Sequence, residues 1–132
     1  GENGKLWIYA NRLESLVRID PATWQVDWMF PVTREIGRLH GITYDNGAIW
    51  QVCGSQDPKV IGYEGYTPGL VKYDAGTGAV LETAEFLEGT ADPHGLAMRN
   101  GKLISCDAGV GPPGFEGTGS PSAGYIFEIS FV

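Results

Sequence analysis

The only two histidines of the chain stand at the same place in a sequence motif that occurs twice. One copy reads HGITYDNGAIW from His40, and the other reads HGLAMRNGKLI from His94, 54 residues later. Neutral imidazole binds divalent metals well and can also accept or donate a proton near neutral pH. Because a period of this length is typical of repeat architectures, the two imidazoles are expected at equivalent positions of neighbouring units.

Candidate carboxylates surround the same part of the repeat. The sequence Gly-Tyr-Glu-Gly around Glu64 recurs as Gly-Phe-Glu-Gly around Glu116, in two long connections. Imidazole combined with carboxylate suits a divalent cation (Ca, Mg or Zn) as well as general acid–base catalysis. We therefore predict His40, His94, Glu64 and Glu116 as catalytic candidates, and His40, His94, Asp92 and Asp107 as candidate metal ligands.

A structural role for the same residues stays open from the sequence. A His-Gly pair at the start of a strand can hold a neighbouring unit by bonding its carbonyl groups. Glu64 and Glu116 can be solvated loop residues, and Tyr63 and Phe115 can pin long loops to the body of the protein. The two interpretations differ in whether the imidazoles converge on one place.

Three Asn-Gly pairs, at Asn3, Asn46 and Asn100, divide the chain into strands. Asn-Gly favours a tight hairpin turn because both central residues of a type I′ turn need positive φ. The apolar runs around these turns predict ten strands, in groups of three, four and three. No run predicts a helix. The strands that follow the three turns are Lys5–Tyr9, Ala48–Val52 and Lys102–Cys106.

Four antiparallel strands per unit of this length are typical of a β-propeller blade. The chain is thus predicted to be one all-β domain, residues 1–132, of two and a half to three blades at about 1–36, 37–90 and 91–132. Strands of a blade alternate in direction, which places His40 and His94 at the mouth of a central channel. The long loops of Glu64 and Glu116 lie on that same side.

Three blades cannot close a ring, so a second copy of the chain is the expected partner. Two copies would give six blades, and a trimer with exchanged strands is the alternative. A site at the channel would then be shared between chains. The chain could also be an inactive piece of a longer propeller.

Composition excludes several classes of function. The chain has 132 residues, 42% of them hydrophobic, and a net charge of −7. Such acidity disfavours nucleic-acid binding, which needs a basic surface. No run of 18 apolar residues indicates a membrane span, and no leader is visible at Gly1, although one could have been removed. Cys53 and Cys106 lack metal-type spacing and are expected to be small buried residues.

The segment Pro93-His94-Gly95-Leu96 with Asn100-Gly101-Lys102-Leu103-Ile104 resembles the repeat of NHL and virginiamycin B lyase-like propellers. The segment Leu70–Gly78 is similar to the Asp-Pro-x-Thr-Gly turn of such blades. The resemblance implies a metal-assisted hydrolase of esters, lactones or phosphoesters, or a lyase, acting on a small molecule. Only the His-Gly position carries over, to His40 and His94. A non-catalytic propeller that binds a ligand or protein is the rival expectation.

Overall fold

The structure, a computed structural model, describes residues 2–32, 38–54, 68–87, 93–107 and 126–132. These residues form ten strands and two short 3₁₀ turns, Glu2–Gly4 and Asn11–Leu13. The strands are β1 (Leu6–Ala10), β2 (Ser15–Asp20), β3 (Gln25–Pro31), β4 (Arg38–Asp45), β5 (Ala48–Gly54), β6 (Gly69–Asp74), β7 (Val80–Glu85), β8 (Pro93–Arg99), β9 (Lys102–Asp107) and β10 (Ile126–Ile129). Within the described part, no helix is long and apolar enough to cross a membrane.

The strands form three antiparallel sheets. The first sheet contains β1, β2 and β3, the second contains β4 to β7, and the third contains β8, β9 and β10. In each sheet, strands that are neighbours along the described chain are hydrogen-bonded neighbours in space. The grouping of ten strands into three, four and three, expected from the sequence, is confirmed for the described residues.

Tight turns join the strands where the sequence predicts them. At Asn46-Gly47 the φ angles are 46° and 83°, and at Asn100-Gly101 they are 51° and 75°. The turn between β6 and β7 is held by Asp74, whose Oδ1 accepts hydrogen bonds from the backbone N–H of Gly76 and from Thr77. These bonds, foremost that of the Thr77 hydroxyl, lower the pKa of Asp74. Local chemistry within four residues therefore sets these turns.

Both faces of the second sheet are covered. One face packs on the first sheet around Leu16, Phe30, Ile49, Val71 and Tyr73, with the Phe30 and Tyr73 ring centroids 5.7 Å apart. The other face packs on the third sheet around Trp50, Val52, Leu70 and Leu103. Successive side chains of a strand point to opposite faces, so β5 supplies both interfaces. Trp7 and Trp50 hold equivalent places in β1 and β5, and both pack between sheets.

The two cysteines differ from the sequence expectation in one respect. Cys53 is buried in the interface between the first and second sheets, as expected, and burial raises the pKa of its thiol to about 12. Cys106 is only half-buried, which corrects the prediction that both would be buried. Cys106 lies on the face of the third sheet that is turned away from the second sheet, where no described sheet covers it.

Candidate functional site

The two histidines meet although 54 residues separate them. The imidazole rings of His40 and His94 are stacked, with centroids 3.7 Å apart and planes inclined by 28°. Both side chains are half-buried. His40 is the third residue of β4 and His94 the second of β8, so each stands near the start of its strand, as the repeat predicts. The structure therefore brings together these two candidate site residues.

A β-bulge sits at each histidine. In the second sheet Leu39 pairs with Cys53 and Ile42 pairs with Gln51, so His40 and Gly41 together oppose one residue of β5. In the third sheet the register shifts at the same place, between Pro93 and Gly95. A bulge bends its strand and redirects side chains, and bulges are enriched beside active sites. The repeated irregularity aims both imidazoles at one place.

The glycine after each histidine allows a close approach. A Cβ atom placed on Gly41 would lie 2.6 Å from the carbonyl oxygen of His94 and 2.7 Å from the backbone N of Leu96. The backbone of β4 thus contacts that of β8 where any side chain would separate the strands. A Cβ atom on Gly95 would lie 2.7 Å from Sγ of Cys106. Gly41 is consequently what permits the two imidazoles to reach stacking distance.

Two buried polar residues behind the bulges were missed by the sequence reasoning. Ser105 is 2% exposed, and its hydroxyl donates a hydrogen bond of 2.7 Å to the carbonyl of Gly95. Gln51 holds the equivalent place in β5, four residues after the Gly of its Asn-Gly turn. It is fully buried, and neither amide atom has a hydrogen-bond partner among the described residues. A polar residue inside the apolar run Ala48–Val52 was the signal that could have singled it out.

The remaining predicted site residues are not brought together by the described structure. Glu64, Glu116 and Asp92 lie outside the described residues, as do Tyr63 and Phe115. Asp107 ends β9 with its backbone paired to Pro93, beside His94, and its side chain lies outside the described part. Within the described ranges, no group of three or more His, Cys, Asp or Glu side chains could hold a metal ion.

The geometry of the ring stack limits what the pair can do together. A metal ion bound by two imidazoles has to lie in both ring planes, about 2.0–2.1 Å from each nitrogen. Stacked planes inclined by only 28° do not meet that close to the rings. Joint ligation of one ion therefore requires one ring to turn out of the stack. In the stacked arrangement, a single imidazole can act as ligand while the other acts in proton transfer.

Comparisons with known proteins do not identify the chemistry of this site. A scan of protein-family models finds none that matches the chain, and a search of curated proteins finds no significant match. Function is therefore argued from the site itself.

Proposed function

We propose that the chain contributes the blades of a β-propeller of the NHL or virginiamycin B lyase type, with two copies closing a six-bladed ring and a trimer as the alternative. Three antiparallel sheets of three or four strands, stacked face to face in chain order, support the proposal. β4 and β8 supply the close contact between the second and third sheets. In the proposed propeller, β4 and β8 are the innermost strands of their blades and line the central channel.

The site proposed for this propeller is a small-molecule site at the channel mouth, carrying metal-assisted hydrolysis of an ester, lactone or phosphoester, or elimination. The observation that carries it is the ring stack of His40 and His94, formed by two bulges in equivalent strands. A bulge, a glycine and a histidine repeated in register, with the rings at van der Waals distance, is a specific arrangement. Packing alone would be served as well by apolar side chains.

The donors available suit a divalent ion of the Ca, Mg or Zn kind. One of the two imidazoles would hold it together with carboxylates of Asp92 and Asp107, and Glu64 or Glu116 would complete the site from the long loops. When bound, such an ion polarises a carbonyl or phosphoryl oxygen or activates water. The imidazole that does not bind the ion is placed to accept or donate the proton.

Metal content and turnover of matched variants test this proposal. The wild-type chain, His40→Ala, His94→Ala and the control Thr83→Ala are dialysed against Zn²⁺, Ca²⁺ or Mg²⁺. Thr83 is exposed on β7, at the edge of the second sheet opposite β4. Bound metal is then measured by elemental analysis, and turnover on a panel of esters, lactones and phosphotriesters. We expect both histidine variants to lose turnover and the variant that lacks the metal-binding imidazole to lose metal as well, while Thr83→Ala keeps both. Unchanged metal and turnover in both histidine variants would show that the proposal is wrong.

The stacked rings also favour a second candidate, a non-catalytic propeller that binds a ligand. In the stack, the rings do not converge on one ion, and they offer a half-buried polar surface instead. The same assay separates the two candidates. A wild-type protein that shows no turnover with any metal supports the binding role, whereas turnover lost in both histidine variants excludes it.

A further inference from the structure

The first and third sheets each leave one face without a covering sheet among the described residues. The open face of the first sheet, here the leading face, carries apolar side chains in every strand. They are Leu6, Ile8, Ile19, Val26 and Met29, and Val17 on the same face is already buried. The open face of the third sheet, here the trailing face, carries Ala97, Ile104, Cys106 and Ile126, together with Arg99 and the ion pair of Lys102 with Glu128.

Each open face repeats a face that is buried elsewhere in the molecule. Leu6, Ile49 and Leu103 stand at the same distance after their Asn-Gly turns. The side chains of Ile49 and Leu103 are 0% and 4% exposed, whereas that of Leu6 is 41% exposed. The leading face is thus the same kind of face that the second and third sheets use to pack on the sheet before them.

The trailing face shows the converse pattern. Leu16, Leu70 and Ile126 are equivalent, because they pair with Tyr9, Val52 and Cys106 at one position of the repeat. Leu16 and Leu70 are 0% and 2% exposed beneath the sheet that follows them, whereas Ile126 is 79% exposed. The trailing face is therefore the kind of face on which a following sheet packs.

We propose that the leading face of one copy of the chain docks on the trailing face of a second copy, and so continues the sheet packing seen inside the chain. This inference rests on the propeller architecture of the proposed function and specifies its contact surfaces. The contact is heterologous, because two different surfaces meet, and it closes into a ring when both faces of each copy are used. Burial of Ile126 and Leu6 supplies the apolar driving force, as it does for their internal equivalents.

Complementary variants test this contact. Leu6→Glu changes the leading face, Ile126→Glu changes the trailing face, and Leu81→Glu is the control, because Leu81 is 55% exposed on β7, away from both faces. Molar mass is measured by light scattering over a range of concentrations. We expect wild type and Leu81→Glu to associate and each of the other two variants to be monomeric. An equimolar mixture of Leu6→Glu and Ile126→Glu should associate again, because one unaltered interface forms between them.

Other outcomes overturn the inference in distinct ways. Loss of association in only one of the two face variants would show that a face pairs with itself. A wild-type chain that stays monomeric at every concentration would show that a second copy does not cover these faces. Association that follows the expected pattern, with metal and turnover absent, would refute the proposed enzyme and leave the contact standing.

The half-buried Cys106 gives an independent readout, since it lies on the trailing face. Its labelling by a thiol reagent at pH 8 should be at least about tenfold slower in the associated wild type than in monomeric Leu6→Glu, whose own change lies on the other face. Cys53 is the internal control, because its burial and its pKa of about 12 should keep it unlabelled in both states. Equal labelling of Cys106 in both would contradict the proposed contact.

Discussion

The strands β4 and β8 contain the two copies of the His-Gly motif, in different surroundings. Around His40, the bulge of β4 lies against the backbone of the next sheet, so that a Cβ atom placed on Gly41 would lie 2.6 Å from the carbonyl oxygen of His94. Around His94, the bulge of β8 contacts the side chain of Cys106 in its own sheet. Both copies of the motif thus meet at the contact between the second and third sheets, but only the copy around His94 also borders an open face.

This difference shows that one sequence pattern serves two roles that depend on the neighbour. Glycine is required at position 41 because the backbone atoms of β8 that face it cannot move away. Gly95 instead faces the sulfur atom of a side chain, which can shift or be removed by substitution. The polar residues behind the bulges differ in the same way. Ser105 is hydrogen-bonded to the bulge of its own sheet, and Gln51, buried between two sheets, has no partner among the described residues.

The largest expected effect comes from adding a methyl group at the interior copy. Gly41→Ala should lower the free energy of unfolding by about 3 kcal/mol, the upper range for overpacking, because β4 and β8 must separate. Denaturant unfolding measures the loss, and the distance between His40 and His94 in a crystal structure of the variant should increase. A variant as stable as wild type would show that the two backbones are not in contact.

The same change at the open copy should be milder and can be rescued. Gly95→Ala should lower the free energy of unfolding by about 1 kcal/mol, since the new methyl meets only Sγ of Cys106. In Gly95→Ala/Cys106→Ala the sulfur is absent, so the double variant should be as stable as Cys106→Ala alone. If the two losses simply add, the sulfur is not what opposes the methyl group.

Gln51 and Ser105 should respond to apolar substitution with opposite signs. Gln51→Leu should raise the free energy of unfolding by about 1 kcal/mol, because a buried amide that has no partner among the described residues is replaced by a side chain of similar volume. Ser105→Ala should lower it by a similar amount through loss of the bond to Gly95. For both variants, the change in the free energy of unfolding is measured from the shift of the denaturant midpoint, provided that the dependence of this free energy on denaturant concentration is unchanged. A Gln51→Leu variant less stable than wild type would reveal a partner for the amide.

Much of the fold could be predicted because its signals are local. The Asn-Gly turns and the grouping of ten strands follow from φ preferences and side-chain periodicity within a few residues. The equivalence of His40 and His94 could be predicted as well, since the sequence motif around them repeats. The bulges could not, because a register shift depends on how two strands pair and leaves no pattern of its own in the sequence.

The sequence by itself determined the turns, the strands, the order of the sheets and the shared position of the two histidines. Only the tertiary structure decided that the imidazoles stack at 3.7 Å, that Gly41 faces backbone, and that Gln51 and Ser105 differ in their partners. The physical reason is the distance along the chain over which each kind of interaction acts. Turns and strands follow from steric limits between adjacent residues, whereas a distance between two side chains 54 residues apart is set by how the sheets that carry them pack.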